Sequence, residues 1–176
     1  MSKAVLISIQ PKWCDLIASG KKTIEVRKTR PQLETPFKCY IYCTANKQGT
    51  TDLLEIHGAN GKIRKANGKV IGEFICDKMI DIAFGIEEGV YFDGEFQEGF
   101  ETNGSDNNPT CLLFVDLENY LTKNEGWGWH VSDFVIYEQP KALGEFNHCG
   151  ANYHFNPPVN RPPQSWCYVE QLQEDT

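Results

Sequence analysis

The first 28 residues combine two strand patterns with one short helix, and this run constrains the fold more than any other part of the chain. Residues 4–9 are almost entirely apolar and predict a central strand. Residues 11–19 follow, with Pro11 at the first helical position and apolar side chains on one face. Gly20 suits the left-handed conformation that ends many helices. We therefore predict a strand, a short amphipathic helix and a tight turn in direct succession.

A second strand is predicted over residues 22–28, where apolar and polar side chains alternate. Ile24 and Val26 point to one side, which we expect to be buried. The other side carries only polar groups, namely Thr23, Glu25 and Arg27.

The rest of the chain is rich in strand patterns separated by long loops. We predict strands over 37–44, over 70–82 with a bend near Asp77, over 130–137 with Pro140 closing the element, and over 165–172. Residues 111–121 predict a strand running into a helical turn. Residues 45–69 and 144–163 are expected as loops, the former with a weak hairpin or helical turn. Residues 85–108 carry seven acidic side chains and are expected as an inserted loop or lid.

These elements indicate an α+β, β-rich fold, organised as one small barrel with short helices packed at its ends. The length of 176 residues fits a single domain over 1–176, and no internal repeat is present.

Composition favours a cytoplasmic protein. No apolar run approaches the roughly 20 residues of a membrane helix, and the first residues lack a signal-peptide pattern. The seven cysteines are an odd number and are expected as reduced thiols. The net charge of −7 opposes broad binding to nucleic acid and favours a small ligand held by a few local cations.

Lys22, Glu25 and Arg27 form the most informative polar group. On a strand they lie within about 10 Å of each other, where they can clamp a phosphate and read a base edge. An ordinary exposed ladder of opposite charges on a surface strand explains the same spacing without any function.

The same residues carry a family resemblance. Gly20, Lys22, Glu25 and Arg27, preceded by the strand end at residues 8–11 and a Trp-containing helix, resemble the signature of ASCH domains. Gly144 fits loosely. Residues 126–133 and 161–169 resemble a longer, bacterial and phage-type branch of this group.

The resemblance implies a PUA-like pseudo-barrel with a cleft between the barrel and the first helix. It implies binding of RNA, a nucleotide or a modified nucleoside. From the sequence motifs themselves, no cofactor and no metal are expected. The residues expected at the cleft are Ser8, Trp13, Lys22, Thr23, Glu25 and Arg27.

Some members of the family that this chain resembles are enzymes, either deacetylases of N4-acetylcytidine or ribonucleases. The deacetylase branch pairs the motif lysine with a strand threonine, whose position is Glu25 in this chain. Thr23 is adjacent to Lys22 but occupies a different place, and Glu118 or Glu125 are candidates for a distant glutamate. Hydrolysis would therefore use another nucleophile, or a water activated by Lys22 and Glu25 as an acid–base pair.

Two further groups have a functional and a structural interpretation. Trp127, Trp129 and His130 can stack a base, but the two tryptophans alternate, so core packing explains them better. Ser165 and Trp166 at the last strand can bring a hydroxyl group and a ring to the cleft. The ordinary alternation of side chains along a strand explains them equally well.

Metal binding is not expected from the cysteine and histidine spacing. Cys39 and Cys43 are separated by about 13 Å along one strand, too far to share a zinc ion. His148, Cys149, His154 and Cys167 can converge only through the loops that carry them.

Three hypotheses follow from the sequence. The first is a binding module for RNA or a nucleotide, and the second is a hydrolase that uses the same cleft. The third is an adaptor that binds a protein partner through residues 85–108.

Overall fold

The computed structural model describes residues 2–45, 55–57, 63–85, 89–100, 108–150 and 156–173. Its helices are α1 (Pro11–Ala18) and α2 (Phe114–Tyr120), with a 3-10 turn at Leu143–Glu145. Its strands are β1 (Lys3–Ile9), β2 (Ile24–Arg27), β3 (Phe37–Cys43), β4 (Glu55–His57), β5 (Ile63–Lys65), β6 (Lys69–Cys76), β7 (Met79–Phe84), β8 (Val90–Phe92), β9 (Glu95–Gln97), β10 (Glu125–His130), β11 (Ser132–Lys141) and β12 (Trp166–Glu170).

The strands form two five-stranded sheets and one separate hairpin. The first sheet has the order β11-β6-β3-β1-β12 and the second has the order β2-β10-β7-β8-β9. Strands β1 and β3 are parallel, and all other described pairs are antiparallel. The α+β, β-rich fold class is therefore confirmed. The expected barrel is not: within the described ranges the sheets keep open edges at β11, β12, β2 and β9.

The chain passes between the two sheets at four described points. It crosses through α1 between β1 and β2, at residues 28–36 between β2 and β3, at residues 77–78 between β6 and β7, and at Val131 between β10 and β11. The last two crossings meet at one corner. There Asp77 Oδ1 lies 2.6 Å from His130 Nδ1, and this hydrogen bond lowers the pKa of the Asp77 carboxyl group.

Three apolar clusters stabilise this arrangement. The first joins the inner face of the first sheet, including Ile7, Ile41 and Phe74, to Trp129 of the second sheet. The second lies on the opposite face of the second sheet, where α2 packs through Leu117. The third covers the outer face of the first sheet. Burial on both faces follows from the alternation along β3, whose odd-numbered residues join the first cluster and whose Tyr40 and Tyr42 join the third.

The predicted elements β1, α1, β3 and β12 are confirmed, with ends that differ by one or two residues. Three other predictions are wrong. The segment 125–130 is itself strand β10, and Pro140 lies inside β11, which ends at Lys141. Because β11 is an edge strand, a proline there removes no essential ladder hydrogen bond. Residues 111–113 precede α2 without forming a strand.

The acidic segment 85–108 contains regular structure in its described part. Strands β8 and β9 extend the second sheet as a hairpin, where a loop was expected. Val90, Phe92 and Phe100 are buried in the second cluster, whereas Phe96 is 60% exposed. This part of the segment is therefore an extension of the sheet that contributes to the core.

No helix within the described ranges has both the length and the apolar character to cross a membrane.

Gly72 is required by the contact between β6 and β11. A Cβ at this position would lie 2.3 Å from the backbone oxygen of Val135 and 3.2 Å from Ile136 Cα. We expect Gly72→Ala to lower the free energy of unfolding by about 1–3 kcal/mol, as overpacking does. Urea unfolding measures the change.

Gly144→Ala is the matched control, because a Cβ at Gly144 meets no described atom within 4 Å. Its stability should stay within about 0.5 kcal/mol of the native protein. Equal effects of the two substitutions would contradict the close approach of β6 and β11.

Candidate functional site

A cleft of about 1030 Å³ lies beside α1, β2 and α2. Its charged lining residues are Lys12, Lys22, Arg27, Glu25 and Asp116, so three cations and two carboxylates give a local charge of +1. The whole chain has a net charge of −7. The cleft is therefore a locally cationic site on an acidic protein. Its other lining residues are Ser8, Gln10, Pro11, Trp13, Val26, Tyr42, Thr44, Ala45, Leu112, Tyr120, Pro162, Pro163, Gln164 and Ser165.

The turn after α1 brings the chain directly into the cleft wall. Gly20 has a φ of 75°, the left-handed value expected for the residue that ends this helix. The backbone N–H groups of Lys21 and Lys22 both donate to the carbonyl oxygen of Leu16 at 3.0 Å. This turn fixes the position from which the Lys22 side chain enters the interior.

Strand β2 places Glu25 and Arg27 on the inner face of the second sheet. Antiparallel pairing sets Glu25 opposite Trp129 and Arg27 opposite Trp127, while Ile24 and Val26 join the second cluster on the other face. The predicted alternation is confirmed. The polar face is buried as well, because Glu25 is 6% exposed and Arg27 is 7% exposed.

Arg27 connects the two sheets through its guanidinium group. Its Nη2 donates to the carbonyl oxygen of Ser8 on β1 at 2.7 Å and pairs with Glu25 Oε1 at 2.8 Å. Its Nη1 lies 3.5 Å from Ser165 Oγ. The buried Nε has no hydrogen-bond partner in the described part of the chain. Arg27 is also one of the residues that line the cleft.

Lys22 is 2% exposed, and its three ammonium protons have three partners. Nζ donates to the carbonyl oxygens of Ile24 at 2.9 Å and Thr110 at 2.6 Å, and it lies 3.4 Å from Glu25 Oε2. Burial lowers the pKa of Lys22, and the Glu25 carboxylate opposes this shift. The geometry therefore suits Lys22 to orient Glu25 and to attach the neighbouring turn at residue 110.

That turn, residues 108–112, forms the wall facing β2. The carbonyl oxygen of Pro109 accepts hydrogen bonds from the N–H groups of residues 23 and 24, both at 2.9 Å. Asn108 Oδ1 accepts from the N–H and hydroxyl of Thr110 at 3.0 and 2.7 Å. These bonds fix the start of α2, which then carries Asp116 and Tyr120 to the cleft.

Five of the six residues predicted for the site line this cleft, namely Ser8, Trp13, Lys22, Glu25 and Arg27. Thr23 is not among the described residues that line it, and its backbone oxygen accepts a hydrogen bond from Val131 at 2.8 Å. Ser8 contributes its carbonyl oxygen to Arg27, while its hydroxyl donates to Pro163 at 2.6 Å.

The aromatic predictions divide between core and cleft. Trp129 is fully buried in the first cluster, and Trp127 packs against the same cluster. The packing interpretation is therefore confirmed for Trp129. Trp13 is half-buried at the cleft, with the ammonium groups of Lys12 and Lys22 located 4.3 and 5.2 Å from the centre of its ring.

Sequence reasoning missed Lys12, Asp116 and Tyr120. Asp116 and Tyr120 are four residues apart on α2, a spacing that places two side chains on one helix face. That spacing was the only signal available, because no pattern in the sequence predicts that α2 lies beside β2. Burial raises the pKa of the Tyr120 phenol, and the nearby positive charge of Arg27 opposes the increase.

The metal and cysteine predictions concern residues away from this cleft. Across the described ranges, no three His, Cys, Asp or Glu side chains are placed to hold a metal ion. His154 of the proposed metal set lies outside those ranges. All seven cysteines are free thiols, and Cys39 and Cys43 are buried in the first cluster.

Residues 85–108 were also predicted as a surface for a protein partner, and that stays a prediction. The described hairpin exposes Phe96, whose ring lies 5.8 Å from the ring of Tyr91.

Taken together, the fold and the site define a β-rich, two-sheet α+β protein with a buried Lys–Glu–Arg group at one cleft. The family model of the ASCH domain matches residues 7–78, which include the whole of this group. Over these residues the chain is similar to ASCH domains, and the resemblance seen in the motif is confirmed.

Solved structures support the same fold. The chain is similar to the crystal structure of ASCH from Zymomonas mobilis, at 18% identity and a TM-score of 0.55, over 96% of this chain and 88% of that one. It is also similar to two variants of that protein, one Tyr-to-Phe and one Ser-to-Ala, both at 18% identity and a TM-score of 0.54. These matches cover 97% and 96% of this chain, and 92% and 89% of the variants. Among curated proteins, no sequence matches the chain.

Glu25 is the counter-charge of two buried cations, so its neutral analogue tests the network. We expect Glu25→Gln to lower the free energy of unfolding by about 3–5 kcal/mol, because it leaves Lys22 and Arg27 buried without a compensating carboxylate. Urea unfolding at neutral pH gives the value.

Lys78→Gln provides the comparison, because Lys78 and Asp93 form an ion pair of 3.0 Å whose side chains are 62% and 43% exposed. Its loss should cost less than about 1 kcal/mol. Similar costs for both substitutions would show that the Glu25 network contributes no more than a surface pair.

Proposed function

We propose that this protein binds RNA or a nucleotide in the cleft beside β2, with the Arg27 guanidinium as the main anion-binding group. The observation that carries this proposal is the position of Arg27, whose guanidinium group belongs to a residue that lines a cleft with a local charge of +1. Charge-assisted hydrogen bonds from a guanidinium group to a phosphate or base oxygen are among the strongest that proteins form.

The charge distribution supports an anionic ligand. Glu25 offsets one of the two buried cations, so the Lys22–Glu25–Arg27 group retains one positive charge. The interior strengthens the attraction of that charge for an anion, because the local dielectric is lower than in water. The ASCH family is generally associated with RNA, and this agrees with the chemistry of the cleft.

The size of the cleft supports a small or short ligand. Its volume of about 1030 Å³ is at the upper end of the range for small-molecule sites. The net charge of −7 opposes long-range attraction of nucleic acid. Recognition would therefore depend on contacts inside and next to the cleft.

Removal of Arg27 tests the proposal. We expect Arg27→Ala to weaken binding of a short single-stranded RNA by about 1–3 kcal/mol, as loss of one bidentate arginine contact does. Calorimetric titration with a mixed set of nucleoside monophosphates and an RNA trimer measures the affinity.

Arg27→Lys is the second variant, because it keeps the charge that pairs with Glu25 but lacks the Nε donor and the planar geometry of a guanidinium group. Lys141→Ala is the control, because it removes one positive charge from β11 at a residue that does not line the cleft. Unchanged affinity in both Arg27 variants would remove this residue from the binding site.

Hydrolysis in the same cleft is a second candidate function. It is favoured by one observation: burial lowers the pKa of Lys22, and Glu25 Oε2 lies 3.4 Å from its ammonium group. Such a pair can activate water toward an N4-acetylcytidine-type amide or toward an RNA phosphodiester. The three hydrogen-bond partners of Lys22 favour the orienting role described above, so binding is the first proposal.

Product formation separates the two functions. If the cleft is hydrolytic, incubation with N4-acetylcytidine gives cytidine and acetate, or incubation with short RNA gives shorter fragments. Lys22→Met should then abolish turnover, and the native rate should rise with pH as the amine loses its proton below its usual pKa of about 10.4. Chromatography of the reaction mixture detects the products, and their absence with both substrates contradicts the hydrolase.

A further inference from the structure

We propose that the ligand is a single-stranded RNA segment that extends out of the cleft along a basic rim formed by Lys28 and Arg30. This inference rests on the proposed function and adds a second contact surface to it. The two residues lie one and three positions after Arg27, where β2 ends at the cleft. The rim thus belongs to the exposed chain that leaves the end of β2.

The run Arg27-Lys28-Thr29-Arg30 places three cations within four residues. Arg27 is buried at the cleft, whereas residues 28–30 are exposed. From Arg27 to Arg30 the backbone spans at most about 10 Å. A strand that places one phosphate near Arg27 can therefore place neighbouring phosphates near the rim.

Each rim cation rests on an aromatic ring. Lys28 Nζ lies 5.2 Å from the centre of the Tyr120 ring, and the Arg30 guanidinium lies 4.7 Å from the centre of the Trp127 ring. Neither cation forms an ion pair with a carboxylate in the described ranges. Their charges are therefore held in place without being neutralised.

The rim is continuous with the cleft and attached to the first sheet. Tyr120, whose ring contacts the ammonium group of Lys28, is itself a lining residue of the cleft. Between the two cations, Thr29 Oγ1 accepts a hydrogen bond from Trp166 Nε1 at 3.1 Å. A little further on, the N–H of Gln32 donates to the hydroxyl of Tyr168 at 2.7 Å. These bonds attach the segment after β2 to β12.

Cations alternating with partly exposed aromatic rings are the surface on which single-stranded nucleic acids bind. The cations contact phosphates and the rings stack on bases, and the contribution of stacking is about 1–3 kcal/mol per base. Tyr120 and Trp127 are partly exposed, and because a rim cation already covers part of each ring, stacking would use the ring surface that remains exposed. An acidic peptide could use the cations but would gain nothing from stacking, so RNA fits the rim better.

A length series tests the rim. Fluorescence anisotropy and calorimetry would compare a nucleoside monophosphate with RNA oligomers of three, six and nine nucleotides at several salt concentrations. We expect the six-mer to bind at least about tenfold more tightly than the monophosphate, because it adds phosphate and stacking contacts. The double variant Lys28→Ala/Arg30→Ala should bind the six-mer about tenfold more weakly and should bind the monophosphate as the native protein does.

The salt dependence gives an independent readout. Loss of two phosphate contacts to a single strand should reduce the slope of log affinity against log salt by about 1.4. Lys141→Ala is the matched control, because Lys141 also rests on an aromatic ring, 5.4 Å from the centre of Tyr137, but lies on β11 at the opposite edge of the first sheet from β12. It should leave both the affinity and the slope unchanged.

Three outcomes would overturn the rim. One is equal affinity for the monophosphate and the six-mer. If both affinities still fall in the Arg27 variants, the proposed function stays intact and only the rim is rejected. Another is an unchanged salt slope in the double variant. The third is equal affinity for a glutamate hexapeptide, which would assign the rim to an acidic protein partner. Absence of binding to every RNA and nucleotide would instead reject the proposed function together with the rim.

Discussion

The buried charge network of Lys22, Glu25 and Arg27 is the interaction on which the cleft depends. Arg27 reaches from β2 to the Ser8 carbonyl oxygen on β1 at 2.7 Å, and so connects the second sheet to the first. Lys22 reaches from the turn just before β2 to the Thr110 carbonyl oxygen at 2.6 Å, and so connects this turn to the turn before α2. Glu25 lies between the two cations. Strand β2 and the turn before it thereby hold three parts of the molecule around a single concavity.

Such a network contributes less to the free energy of folding than its short distances suggest. Desolvation of buried ions offsets much of their attraction, and apolar replacements of similar volume are often as stable. The backbone carbonyls of residues 8, 24 and 110 supply acceptors that fix the geometry of both cations. We infer that the network serves position more than stability, because it leaves one arginine N–H directed to no acceptor in the described chain.

The local part of the fold could be predicted from the sequence. The proline and glycine at the ends of α1 and the alternation along β2 and β3 are short-range signals, and the structure confirms them. They suffice to place Glu25 and Arg27 on one face and Ile24 and Val26 on the other. They did not show that both faces are buried, because burial depends on the second sheet and on segments more than 80 residues away.

The rest of the site arises from contacts that are distant in the chain. The turn at residues 108–112 forms hydrogen bonds with the chain at the start of β2, about 85 residues earlier in the sequence. No periodic pattern in the sequence predicts that contact. The hairpin of β8 and β9 was obscured by its acidic and glycine-rich composition, which is typical of loops. The two-sheet arrangement, in place of a barrel, depends on where the chain crosses at Asp77 and Val131 rather than on strand propensity.

The attachment of Lys22 to Thr110 has a consequence for how this architecture can diversify. The floor of the cleft comes from the first 27 residues, whereas the opposing wall is delivered by the segment that follows the acidic hairpin. Because the lysine is bound by a backbone carbonyl group, side chains of that wall such as Leu112 and Asp116 can change without removing an acceptor from the ion network. Ligand preference can therefore shift through the wall while the charged floor stays as it is.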